Sequence, residues 1–153
     1  MKPQPSARDT MLQLGYLGLV PFLGGVLITW ADLTLFGLSG EQLFLSYSAV
    51  ILSFLSGVLW GNGIDHFSHK LSRNALLLSN LFALLAWGAL IQGATQYVIA
   101  TGILTAGYLA VWLAEKWIRK SEREEEQPAA YQVMRGRLTA GVVGCHGLLL
   151  LVA

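Results

Sequence analysis

LFLSYSAVILSFLSGVLWGNGI, Leu43 to Ile64, runs without a single Asp, Glu, Lys or Arg. As a helix rising 1.5 Å per residue it reaches about 33 Å, enough to cross a hydrocarbon core of about 30 Å. Four further apolar runs have comparable reach: Met11–Ala31, Ala75–Ile91, Gln96–Trp117 and Leu138–Ala153. The expected fold is an all-α integral membrane protein, one domain over residues 1–153 built as a bundle of five transmembrane helices.

Composition agrees with this reading. Hydrophobic residues make up 54% of the 153 residues and charged residues 12%, where a soluble domain carries about 25% charge. Mean hydropathy is +0.56. Spans of about 20 residues each use most of the chain and leave no room for a separate soluble module.

The basic residues then orient the bundle. Lys2 and Arg8 precede the first run, and Lys70 and Arg73 lie between the second and third. Lys116, Arg119, Lys120, Arg123, Arg135 and Arg137 cluster between the fourth and fifth, while Asp32–Gln42, Gln92–Thr95 and the C-terminus have none. Basic residues at span ends are retained in the cytoplasm, so the N-terminus is expected inside and the C-terminus outside. The first run is longer than a signal-peptide core, and no Arg-rich, Ser-rich amphipathic leader precedes it; a retained helix in a bacterial inner membrane follows. With a net charge of +1 and the cations held at span ends, nucleic acid is not an expected partner. Cys145 is the one cysteine; it excludes an intramolecular disulfide and reads as a packing residue.

Local signals predict how the helices meet. Pro21 removes an amide donor and predicts a kink near Leu17–Pro21. Small residues recur every fourth position at Ala49, Ser53, Gly57 and Gly61, at Gly102, Ala106, Ala110 and Ala114, and at Gly136, Ala140 and Gly144. Such ridges let backbones approach closely, so these three helices are expected to form the packed centre. Trp30, Tyr47, Trp87 and Tyr97 toward the outer face, and Tyr16, Trp60, Trp112, Trp117 and Tyr131 toward the inner one, are placed as interfacial anchors. The stretch EKWIRKSEREEE, Glu115 to Glu126, pairs Glu115 with Arg119 and Lys120 with Glu124 at helical spacing. It predicts a cytoplasmic helical extension over 118–126, stopped by Gln127-Pro128.

Little in the chain points to chemistry. No charged residue falls in the middle of a run, which argues against a proton-driven pump. Counted from the inner charged ends, His146, Asn80, Ser56 and Thr105 lie about 10–15 Å deep and are expected to form one polar layer, as interhelical glue or as a ligand site. Asp65, His66 and His69 are metal-ligand types at close spacing, yet a stable site wants three or four ligands and no Cys or further His lies on that side. Neither a metal nor a cofactor is therefore expected. The sequence shows no phosphate-binding glycine loop, zinc-protease helix or nucleophile elbow, and hence no catalytic constellation.

YSAVILSFLSGVLWG, Tyr47 to Gly61, resembles the signature of a family of small multi-pass inner-membrane proteins, domain of unknown function 3429, which includes mitochondrial transmembrane protein 69. LGYLGLVPFLGG, Leu14 to Gly25, looks like the family's first helix, and YQVMRGRLT, Tyr131 to Thr139, is similar to its basic entry into the last. Members often carry His directly before the Trp-Gly of the signature, where this chain has Leu59. The resemblance implies a membrane fold and location, and it brings no activity.

These readings converge on a structural or accessory component of a membrane assembly, with the bilayer and a membrane-protein partner or second copy as its contacts. A passive channel or transporter for a small polar solute, built on His146 and Asn80, is the alternative. A metal- or haem-binding redox protein ranks last.

Overall fold

The computed structural model describes residues 6–65, 72–121 and 129–153. The first apolar run is two helices, α1 (Ala7–Leu17) and α2 (Val20–Trp30). Ser6 caps α1 by accepting from the Asp9 amide at 3.1 Å. The break at Gly18–Leu19 falls where the sequence predicts it, because Pro21 at the start of α2 has no N–H to return to Leu17. Tyr47 compensates nearby by donating its hydroxyl to the Gly18 carbonyl at 2.8 Å.

A hairpin follows. Strands β1 (Thr34–Leu35) and β2 (Leu38–Ser39) pair antiparallel around Phe36-Gly37, both at positive φ, 55° and 76°. This is the backbone of the primed turns that match strand twist. Ser39 then opens α3 (Gly40–Asp65) with a capping box: its hydroxyl accepts from the Gln42 amide at 3.2 Å, and Gln42 Oε1 accepts from the Ser39 amide at 2.9 Å.

α4 (Ser72–Gln92) returns along α3, with the Ser72 hydroxyl donating to the Gly63 carbonyl at 2.6 Å. Gly93, at φ 66° and ψ −168°, ends α4 in an extended positive-φ conformation that is open to glycine and strained for other residues. A 3-10 turn, Ala94–Gln96, leads directly into α5 (Tyr97–Ser121), and α6 (Ala129–Val152) completes the chain. α3 packs on α2, α4 and α5; α6 packs on α1, α2 and α5. The helices thus form a ring, α3–α2–α6–α5–α4, with α3 and α5 also meeting across it. Arg73, Lys116, Arg135 and Arg137 all lie at one end, the basic end.

Among the described residues, four helical segments are long and apolar enough to cross a membrane: Asp9–Trp30, Gly40–Asp65, Ser72–Gln92 and Ala94–Ile118. α6 is not among them. It is 24 residues long, but Arg135, Arg137 and His146 dilute its hydropathy. It also starts nine residues before the expected span at Leu138, because Tyr131–Arg137, read as loop, is helical. Of the 118–126 extension, α5 continues to Ser121. Residues 122–126 lie outside the described residues, as do the side chains of the Lys120–Glu124 pair.

The small-residue ridges are divided between the core and the outside, with Ala49 and Ala114 buried in the core. Ser53, Gly57, Gly102 and Ala106 face outward, and Gly61 is half-exposed. A methyl group built on Gly57, Gly61 or Gly102 would meet nothing within 4 Å. Crowded glycines are Gly25 against Phe44 and Gly40 against Thr29, where backbone atoms meet, and Gly15, Gly63 and Gly107, which receive the side chains of Met134, Leu76 and Leu52. The ridge rule identifies faces that allow approach, and a single chain does not occupy every such face.

Candidate functional site

The middle of the ring is an aromatic cluster built around one imidazole. Phe22 of α2, Phe44 of α3 and Tyr108 of α5 surround His146 of α6, with ring centroids 5.7, 4.8 and 5.4 Å away. Phe22 further packs edge-on against Phe44 and Tyr47. Offset and edge-to-face contacts of this kind add to simple area burial. His146, Phe44 and Ser48 are completely inaccessible.

Hydrogen bonds fix the imidazole at both nitrogens. Nδ1 lies 2.7 Å from the Val142 carbonyl one turn back, and Nε2 lies 2.7 Å from Ser48 Oγ on α3. A carbonyl can only accept, so Nδ1 carries the hydrogen and donates, leaving Nε2 to accept from the Ser48 hydroxyl. Tyr108 closes the set by donating to the Ser48 backbone carbonyl at 2.6 Å, which satisfies a buried hydroxyl that would be costly to leave unpaired. Three helices are thereby tied through one residue pair, Ser48 and His146.

A second polar contact lies nearer the basic end. Arg135 of α6 forks onto Glu115 of α5, Nε to Oε2 at 3.1 Å and Nη2 to Oε1 at 3.2 Å, with both residues buried. The bidentate geometry is the strongest arrangement for this pair. It explains how α6 carries an arginine inside its helical stretch.

Of the polar layer expected from the sequence, the structure takes His146 to the centre and sends the other three elsewhere. Asn80 is exposed and donates to the Leu76 carbonyl of its own helix at 3.0 Å. The Ser56 hydroxyl donates to Leu52 and the Thr105 hydroxyl to Thr101, each one turn back on its own helix at 2.9 and 2.8 Å. Thr101 itself, fully buried, has no hydrogen-bond partner at Oγ1 among the described residues. Ser48, Tyr108 and Arg135 complete the site without a spacing signal in the sequence, and Glu115, which helical spacing pairs with Arg119, is engaged by Arg135 of α6. Tyr47, placed by sequence as an interfacial anchor, points into the cluster instead.

Asp65 is exposed at the end of α3, while His66 and His69 lie outside the described residues. Among the described residues no three His, Cys, Asp or Glu side chains gather to hold a metal ion.

Fold and interior together define an α-helical membrane protein whose centre is a hydrogen-bonded aromatic core. A family model matches residues 7–151, and the chain belongs to that family, described as protein of unknown function (DUF3429). Comparison with curated proteins and with solved structures yields no match.

Proposed function

We propose that this chain is a structural or accessory component of a membrane assembly, a five-span protein of a bacterial inner membrane with its N-terminus inside and its C-terminus outside. The orientation is supported by the partition of all ten Lys and Arg residues onto one side of that topology. α6, about 36 Å long as a helix, has the reach to serve as the fifth span.

The observation that carries the assembly role is the outward direction of the small-residue strips. Ser53 and Gly57 on α3, Gly102 and Ala106 on α5, and Ala140 and Gly144 on α6 turn away from the chain's own core. Strips of this kind allow the backbone of another helix to approach closely, and packing of that sort drives association where lipid removes the hydrophobic driving force. A channel has less support. The polar side chains Asn80, Ser56 and Thr105 bond back onto their own helices instead of forming a continuous row, and His146 has both nitrogens occupied.

Recovery from native membranes in mild detergent tests the reading. A stoichiometric protein partner or second copy should accompany the chain and be lost on Gly57→Leu, Gly102→Leu or Gly144→Leu, while the melting temperature stays at the native value. A chain recovered alone, or a partner indifferent to all three substitutions, contradicts it.

A further inference from the structure

The break in the first helix has a consequence at the basic end of the bundle. α2 packs on α3 whereas α1 packs on α6, so α1 and α3 border a groove floored by α6. It encloses about 370 Å³. Leu14 and Leu19 form one wall, Ile51, Phe54 and Val58 the other, and Leu138 lies in the floor. Leu14 and Phe54 at the rim are exposed, 64% and 67%, so the groove opens sideways, toward lipid. Phe22 and Tyr108 of the central cluster close one end.

The other end is different in kind. Arg135 is the one charged residue among the described residues of the lining, and Tyr131 lies one turn before it on the same helix. Glu115 engages Nε and Nη2 of that guanidinium, and Nη1, with its two hydrogens, has no partner among the described residues. Between Tyr131 and Val142 the groove follows α6 for about 16 Å. A narrow apolar slot ending at arginine donors near a span terminus is complementary to an amphiphile with a hydrocarbon tail and an anionic, oxygen-rich head. Basic pockets between transmembrane helices are known takers of lipid head groups, and arginine matches phosphate oxygens in geometry as well as charge.

We infer that the groove is a phospholipid site: one acyl chain lies between α1 and α3 on the floor of α6, and the phosphodiester is bound by Arg135 Nη1. Glu115 then acts as a positioning residue, holding the guanidinium at the groove end. This lipid is distinct from the general annulus because protein walls it on three sides and a fixed donor selects its head.

Native mass spectrometry of the delipidated full-length protein, titrated with dioleoylphosphatidylglycerol, dioleoylphosphatidylcholine and dioleoylglycerol, tests the site. One phospholipid should bind per chain, with dioleoylglycerol at least about tenfold weaker because it lacks the phosphodiester. Val58→Trp and Leu14→Trp should each weaken phospholipid binding by a similar factor through filling the slot. The second variant decides if the first fails to fold, since Leu14 is at the exposed rim. A photo-crosslinker at Leu14 in native membranes should yield a lipid adduct. Unchanged binding in Leu14→Trp, equal binding of dioleoylglycerol, or a protein adduct from Leu14 overturns the inference.

Discussion

Ser48 and His146 are 98 residues apart in sequence and 2.7 Å apart in space, the hydroxyl of α3 donating to Nε2 of α6. Removing the hydroxyl leaves a buried ring nitrogen without a partner. Ser48→Ala should therefore lower stability by about 0.6–2 kcal/mol, the range for interhelical hydrogen bonds in membranes. His146→Leu should cost more, because Ser48 then keeps only its longer, 3.4 Å hydrogen bond to the Tyr108 hydroxyl and the aromatic cluster loses its imidazole. His146→Gln, which can present an acceptor to Ser48, should lie between Ser48→Ala and the native protein or match the former. Thermal unfolding in detergent measures the order.

Ser56, the residue that depth along the sequence places level with His146, lies two turns from Ser48, the residue that bonds it. With Arg135 and Arg137 read as loop, His146 lies nine residues in from Arg137, level with Ser56, which is nine residues from Asp65. The helix begins at Ala129, seventeen residues before His146, and Ser48 is likewise seventeen residues from Asp65 at the same end of α3. The eight residues from Ala129 to Arg137 equal the spacing between Ser48 and Ser56. A buried arginine is legible as helical only once its carboxylate partner is known, and Glu115 lies on another helix. The break at Pro21, the short Gln92–Thr95 connection and the long apolar helices are legible because proline and hydrophobic length act locally. Which face of each helix turns inward is not, since small residues permit approach without requiring it.

The Glu115–Arg135 pair should show the asymmetry of buried ion pairs. Glu115→Leu or Arg135→Leu alone strands a buried charge and should cost about 3–5 kcal/mol. The double substitution should recover most of that loss, as an apolar pair needs no compensation. A double mutant as unstable as the sum of the singles would show that the pair is not coupled.

Glycine positions separate crowded faces from open ones. A Cβ at Gly107 would sit 2.7 Å from Leu52 Cδ2, so Gly107→Leu should destabilise by about 1–3 kcal/mol through overpacking. Gly57→Leu, with nothing within 4 Å, should leave the melting temperature of the isolated chain unchanged. The small-residue ridge read from sequence alone leads to the opposite expectation for Gly57.

Thr101 offers a gain. Its buried hydroxyl has no hydrogen-bond partner among the described residues, and replacing an unsatisfied group by a methyl removes a desolvation cost of about 1–3 kcal/mol. Thr101→Val should accordingly raise the melting temperature; a lowered one would reveal a hydrogen bond formed in the membrane.

The proposed topology makes α6 the fifth span and turns on where the last helix ends. Topology reporters fused at Ala153 and in the loop after Lys70 measure this directly. The account predicts opposite sides, with Ala153 outside and the Lys70 loop inside, together with the N-terminus. Ala153 on the same side as the Lys70 loop would contradict it, leaving four spans and an α6 that does not cross.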